Sequence, residues 1–431
     1  MVIKNKVLRN ASWIILCRIV QSVLSLIISM ITARYLGPSN YGIISYAASI
    51  AAFVYPISSL GLNHILVQET VQSPQDEGEI YGTSLVLSIG ASAVCLVGVV
   101  AFVSLVNAGE RETILVCCLY SLLLFFQALE LIQYWFQAKY LSKYVSVISL
   151  CTYAAVSAYK IYLLASGKSV YWFAVSNALD HMLIAAALIV TYRRLGGGEF
   201  RFSWAVARRM ISRSRYYIVS SMMVTVFAQT DKIMLKLMID ETATGFYSAA
   251  VSCAGMTSFV FGAIIDSMRP AIFENRKVSS QHFENSVSTL YGIIIYLSLA
   301  QSPVMTLLAE PIISLLYGAE YQPAVGALRI IVWYTTFSYM GAVRNIWILA
   351  ESKQKYLWII NLSGASLNVL LNALMIPQWG ILGAAAASLI TQFVTNVVLG
   401  FIMRPIRRNN VIMLKGLNPL TVVGAFIAER K

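Results

Sequence analysis

Formal charge is scarce in this 431-residue chain: 12% of its positions are charged and 58% are hydrophobic. No segment is polar enough to form a soluble module, so a nucleic-acid-binding protein is excluded despite the net charge of +13. Cysteines are few. Cys17, Cys95, Cys117, Cys118, Cys151 and Cys253 all lie in apolar runs, with no CxxC and no loop pair. They read as packing residues, neither disulfides nor metal ligands. His64, His181 and His282 are scattered without zinc spacing, so no metal site is expected. Large outer loops are also lacking. The largest, from Glu310 to Pro323, holds only the acids Glu310 and Glu320, which argues against an enzyme working at the outer surface.

Apolar runs recur from end to end, at lengths that cross a bilayer as helices. Barrel strands would alternate apolar and polar residues over about ten positions, and these runs do not. An all-α, polytopic membrane protein follows. Tyr356 to Met403 contains no formal charge and is broken by Pro377, Gln378, Trp379 and Gly380, which makes it two spans. The same reading gives twelve transmembrane helices near 12–36, 42–68, 82–106, 113–138, 144–166, 169–192, 216–239, 244–267, 287–309, 325–350, 357–377 and 380–404. The amino terminus is basic then apolar, but the run is too long for a signal peptide and contains Arg18, so it reads as a retained first span.

Lys and Arg concentrate in alternate connections, which places both termini in the cytoplasm. The segment Glu69 to Tyr81 dissents, with Glu69, Asp76, Glu77 and Glu79 and no base, although carboxylates weigh little in orientation. The Arg-rich stretch 193–215, with Gly196, Gly197 and Gly198, divides the spans six and six. The expected organisation is an amino-terminal six-helix lobe (1–192), a basic cytoplasmic linker (193–215), a carboxy-terminal six-helix lobe (216–404) and a cytoplasmic or interfacial tail (405–431). The linker reads either as a hinge or as a loop that simply fixes topology. Positive charge beside anionic lipid head groups accounts for the net charge, with membrane lipids as partners and no nucleic acid.

Six cations lie inside spans: Arg18, Lys160, Lys232, Lys236, Arg329 and Arg344. A central Lys or Arg costs roughly 2.5–3.5 kcal/mol on insertion scales, so these residues are expected to face a wet interior. Arg329 and Arg344 stand about 22 Å apart along one helix and read equally well as snorkelling to opposite interfaces. The first helix carries a polar stripe of Arg18, Ser22, Ser25, Ser29 and Thr32. The seventh carries one of Ser221, Thr225, Gln229, Lys232 and Lys236, nearly at the offset that aligns Gly42–Ser49 with Gly245–Ser252. Such stripes serve as packing seams or as cavity walls. The cations favour walls, with Ser22, Ser25, Ser29, Thr225 and Gln229 as the polar lining. The acids within spans, Glu130, Asp180, Asp231 and Asp266, are candidates for ion coupling, the first three foremost; Asp180 reads alternatively as an ion-pair partner of Lys160 or Arg18, and Asp231 as the local partner of Lys232.

Ala33-Arg34-Tyr35-Leu36-Gly37-Pro38-Ser39-Asn40-Tyr41-Gly42 resembles the first-loop signature of the Wzx-type polysaccharide flippases, a branch of the multidrug/oligosaccharidyl-lipid/polysaccharide exporter superfamily. Thr230-Asp231-Lys232-Ile233-Met234-Leu235, leading to Gly245-Phe246-Tyr247-Ser248-Ala249-Ala250, resembles the signature of its seventh and eighth helices. The segments 312–321 and 380–387 resemble later ones, in order, over residues 7 to 404. The resemblance implies twelve helices in two six-helix lobes, a MATE-like alternating-access fold. It implies a bacterial plasma-membrane flippase that moves an undecaprenyl-diphosphate-linked oligosaccharide, of the O-antigen or capsule kind, from the cytoplasmic to the outer leaflet. It further implies no catalytic residue, no cofactor beyond a coupling proton or sodium ion, and partners in the polysaccharide polymerase and chain-length machinery. The six cations are the expected contacts for the diphosphate. Multidrug exchangers of the superfamily are associated with an acid in the first helix, whereas here that helix has Arg18, which favours an anionic substrate. A drug or cation exchanger and a membrane polymerase or ligase are the alternatives.

Overall fold

The computed structural model describes the backbone of residues 2–419 and the side chains of Cys17 and of residues 19–419. No strand occurs among the described residues. The α-helices are α1 (Val2–Ser58), α2 (Leu66–Gln72), α3 (Glu77–Val106), α4 (Arg111–Ser121), α5 (Leu123–Leu129), α6 (Gln133–Ala138), α7 (Ser142–Ala165), α8 (Val170–Arg194) and α9 (Trp204–Met238). They continue with α10 (Glu241–Ala254), α11 (Ser258–Val278), α12 (Ser280–Leu307), α13 (Ala309–Leu316), α14 (Ala324–Ala350), α15 (Leu357–Phe393), α16 (Leu399–Ile402) and α17 (Arg407–Gly416). The chain divides into two compact units, Met1–Gln229 and Thr230–Lys431.

Among the described residues, nine helical stretches are long and apolar enough to cross a membrane. Two of them contain a break: α1 at Gly37 (φ 73°), followed by Pro38, and α15 at Gly380 (φ 56°), preceded by Pro377. Positive φ at glycine and the missing amide of proline end the helical ladder there. The pairing across the second break shows that the chain reverses, because a Cβ on Gly383 would sit 2.2 Å from the Met375 carbonyl oxygen. The helix α14 has the length of a span, but Arg329 and Arg344 lower its hydropathy. Dividing the two broken stretches and including α14 is consistent with the twelve spans expected.

Boundaries differ where local chemistry intervenes. The second span, expected to reach residue 68, stops at Ser58, where Leu60 (φ 50°) and Gly61 (φ 62°) turn the chain. In the stretch 193–215, Arg193 and Arg194 end α8 and α9 begins at Trp204, so only residues 195–203 are irregular.

Packing follows bilayer logic. Along α3, Ser84, Ser88 and Ser92 are fully buried on one face while Val94 and Val97 are 73% and 69% exposed. Small residues let helices approach closely, and large aliphatic ones face lipid. Each unit also has an apolar core. In the first, Leu62, Trp135, Phe136, Tyr192 and Met210 come together; in the second, Phe261, Phe283, Tyr291, Trp347 and Met413 do. Of the cysteines expected to pack inside, Cys151 is exposed on α7 and Cys118 is half-buried. A thiol behaves as a small apolar group, so a lipid-facing position costs it little.

The dissenting acidic segment finds its cations within the first unit. Glu69 is buried and receives Arg209 (3.2 Å) and Arg213 (2.5 Å), and Glu77 receives Lys139 and the Trp135 indole N–H (2.9 Å). The second unit repeats this device: Glu284 receives Arg408 and Lys415, and Glu351 receives Arg276 and Lys353. Connections expected on one side of the membrane therefore meet within each unit. The tail helix α17 is docked as well, with the Tyr291 hydroxyl donating to Asn409 Oδ1 at 3.0 Å and Asn410 donating to the Val397 carbonyl at 2.7 Å.

Candidate functional site

Two cavities lie inside the first unit. The smaller, about 230 Å³, is lined by Ser25, Ser29 and Thr32 of α1, by Tyr153 and Lys160 of α7, and by Asn177 of α8. Ser25, Ser29 and Thr32 share one helical face, which brings the α1 stripe to the α7 cation. The Lys160 ammonium donates to Asn177 Oδ1 at 3.1 Å, a neutral partner that leaves its charge uncompensated by contact. The larger cavity, about 350 Å³, is lined by Tyr55, Gln127, His181, Thr225 and Gln229 together with small and apolar residues. Tyr120 borders both cavities. The expected lining residues Ser25, Ser29, Thr225 and Gln229 thus border cavities, in two chambers with one shared wall. Ser22 is exposed and lines neither.

Next to these chambers, Glu130 accepts from or pairs with His181 Nδ1 at 2.8 Å, and the other ring nitrogen of His181 meets Gln127 Nε2 at 3.3 Å. Asp180 has a buried Oδ1 with no hydrogen-bond partner, and among the described residues it forms no ion pair with Lys160. A carboxylate oxygen left unpaired in a low-dielectric interior is costly when charged, and protonation removes that cost. Midway along α9, the His64 ring stacks on Tyr217 (4.9 Å between centroids) and lies 3.2 Å from the Ser221 hydroxyl. Burial there lowers the His64 pKa, so this ring is neutral at pH 7.

In the second unit, Asp231 is buried and accepts hydrogen bonds from Tyr247 (2.5 Å), Asn372 (2.6 Å) and Ser388. Its charge is spread over donors from α10 and both halves of α15. Asn368 and Asn372, one turn apart, bond each other at 3.1 Å and extend the cluster. Lys232 next door is half-buried, with no hydrogen bond or ion pair to its ammonium among the described residues. Lys236 is buried and ion-paired with Glu241 at 2.9 Å. Arg344 is 4% exposed and donates to the Thr395 carbonyl (2.9 Å) and Asn345 Oδ1 (3.1 Å), so it ties α14 to the π-helical turn Val394–Val398 rather than reaching an interface. A π turn leaves carbonyls poorly satisfied, which is what the guanidinium takes up. Arg329 is exposed near the start of α14. Arg18 lies outside the residues whose side chains are described.

Several members of these clusters escaped the sequence reading: Gln127 and His181 beside Glu130, and Tyr247, Asn368, Asn372 and Ser388 around Asp231. A usable signal existed, because Asn368 and Asn372 are amides at i and i+4 in a charge-free span, and polar residues at membrane depth are seldom idle.

The family model described as polysaccharide biosynthesis protein matches residues 7–276. The capsular polysaccharide biosynthesis protein CapF of Staphylococcus aureus is 22% identical over 413 residues, covering 90% of this chain and 96% of that protein. A probable low-salt glycan biosynthesis flippase of Haloferax volcanii, Agl15, is 22% identical over 240 residues, covering 52% of this chain and 49% of that protein. Among solved structures, the lipid II flippase MurJ in its inward closed conformation is similar at a TM-score of 0.72 and 13% identity, over 96% of this chain and 92% of that one. An inward-facing multidrug resistance MATE transporter is similar at a TM-score of 0.67 and 12% identity, over 92% and 96%. These solved structures share the fold of this chain, and with the family model covering more than half of its length, the chain belongs to the polysaccharide biosynthesis protein family.

Proposed function

We propose that this protein is a flippase that turns an undecaprenyl-diphosphate-linked oligosaccharide from the cytoplasmic to the outer leaflet of a bacterial plasma membrane, with both termini cytoplasmic, and that it is not an enzyme. The single observation that carries the reading is Lys160, an ammonium held in an intramembrane chamber by a neutral amide and bordered by the hydroxyls of Ser25, Ser29 and Tyr153. The polyprenyl tail of such a substrate is at ease in lipid, but its diphosphate is not. Desolvated phosphate needs charge-assisted donors, and Lys160 and Lys232 would supply them. Arg18 belongs with them on the sequence argument. The glycan names attached to CapF and Agl15, and the lipid substrate named for MurJ, support the same substrate class.

Two lobes of six helices moving between inward and outward openings would carry the head group across. Coupling to a proton or a sodium ion falls to the acids: Asp180, whose buried Oδ1 has a vacancy for a proton, or Asp231, set among the side-chain oxygens of Tyr247, Asn368 and Ser388. Glu130, engaged with His181, is the third candidate. Polymerase and chain-length proteins of the polysaccharide machinery are the proposed partners.

The test is translocation in proteoliposomes that carry a defined lipid-linked oligosaccharide, read by accessibility of the sugar to an impermeant oxidant, under imposed proton or sodium gradients. Transport is expected in the intact protein and reduced at least tenfold in Arg18→Ala, Lys160→Ala and Lys232→Ala, with membrane insertion unchanged. In cells without a second flippase, loss of the protein is expected to trap the lipid-linked unit in the inner leaflet. A normal surface polysaccharide in such cells, or altered drug tolerance in its place, would refute the reading in favour of an exchanger. Lengthening of glycans by purified protein in detergent would make it an enzyme.

A further inference from the structure

The larger chamber of the first unit has a chemistry unlike its neighbour. No lysine, arginine or carboxylate is found among its described lining residues, although several hydrogen-bonding groups are. Tyr55, Tyr120 and Gln229 add two hydroxyls and an amide to the lining, and Gln127, whose Nε2 faces His181, leaves its Oε1 buried without a donor. Its one basic lining group, His181, is already engaged by Glu130 and Gln127, so an anion would meet no free counter-charge, and an apolar molecule would leave the other polar groups unpaired. Hydroxyl groups, which both donate and accept, would satisfy them.

We propose that this chamber is the subsite for the sugar next to the diphosphate, with Gln127 and Gln229 reading its hydroxyl or amide groups and Tyr55 and Tyr120 offering aromatic faces. The inference rests on the flippase reading and adds to it which part of the head group goes where. Three observations support the assignment. The volume of about 350 Å³ lies at the low end of the range for small-molecule sites, as one ring rather than a whole oligosaccharide requires. Small residues, Ala48, Ala51, Ala52 and Ala228, make the room. Tyr120 is a wall common to this chamber and to the one that holds Lys160, so the two are adjacent, just as a diphosphate and its first sugar are covalently adjacent. Access is also provided. Tyr217, Ser221, Thr225 and Gln229 recur every four residues on one face of α9, leading from the exposed His64–Tyr217 stack to the chamber.

The experiment uses the full chain in lipid nanodiscs and measures binding of bare undecaprenyl diphosphate and of its N-acetylglucosamine, N-acetylgalactosamine and galactose conjugates. The intact protein is expected to bind at least one conjugate about tenfold more tightly than the bare lipid. The double variant Gln127→Leu, Gln229→Leu is expected to abolish that preference while binding bare lipid as before, and Lys160→Met to weaken all four lipids by a similar factor. No preference for any conjugate in the intact protein, or a preference that survives the double variant, overturns the sugar subsite and leaves the flippase reading standing. Failure of the intact protein to bind even the bare lipid overturns both. If the double variant does not fold, Gln229→Ala at its half-buried position decides: an unchanged preference overturns the assignment, and a reduced one upholds it.

Discussion

Asp231 shows how one residue can hold charge inside a helix bundle. Its carboxylate is buried, and the donors that make burial tolerable come from Tyr247, Asn372 and Ser388, which are far apart in sequence. A hydrogen bond to a charged group is worth roughly 1.5–3 kcal/mol, and losing one leaves the acceptor short. Tyr247→Phe is therefore expected to destabilise the protein by about that amount, read as a lower unfolding midpoint in detergent. An unchanged midpoint would mean that the Tyr247 hydroxyl contributes nothing to holding the carboxylate. Lys236 and Arg344 teach the complementary lesson. Both are intramembrane cations, yet Glu241 and the Thr395 carbonyl already occupy them, so charge at membrane depth is not by itself charge available to a ligand.

At the scale of elements, the breaks in α1 and α15 matter most. Each has a glycine with positive φ within three residues of a proline, and each turns one uninterrupted helical pattern into two spans. The second hairpin is so tight that Gly383 packs against the Met375 carbonyl. Gly383→Ala would put a methyl group 2.2 Å from that oxygen, and its cost is expected to be roughly 1–3 kcal/mol, seen as a lower midpoint or lower yield of folded protein. Gly90→Ala is the control. Nothing lies within 4 Å of the added Cβ, and α3 should gain helix propensity of up to about 1 kcal/mol. Equal midpoints for the two variants would show that the close approach at Gly383 is not real.

For the whole molecule, the distribution of charge carries the topology. Glu69 and Glu77 in one unit, and Glu284 and Glu351 in the other, each gather cations from connections assigned to the cytoplasmic side. Opposite charges that could have sat on opposite faces of the membrane instead meet. Two exposed positions test the orientation in a background with all native cysteines replaced: Ala108→Cys in the connection after α3, and Glu199→Cys in the connection before α9. An impermeant maleimide applied to intact cells is expected to label position 108, and position 199 only after permeabilisation. The opposite pattern would invert the assigned topology.

Composition alone was enough to establish a helical membrane protein, because a run of some twenty apolar residues has few stable states other than a spanning helix. Breaks such as Gly380 were legible for the same local reason: glycine and proline act on their own backbone. Even the two polar stripes could be traced by their spacing of three and four. Partnership could not. Whether Lys160 meets Asn177 or Asp180, whether Lys236 is free or joined to Glu241, and whether the stripes border one chamber or two with Tyr120 between them depend on residues brought together from distant parts of the chain. Hydropathy records how much a side chain costs to bury. Only tertiary packing decides which group shares that cost, because the answer lies in contacts between helices that no local pattern encodes.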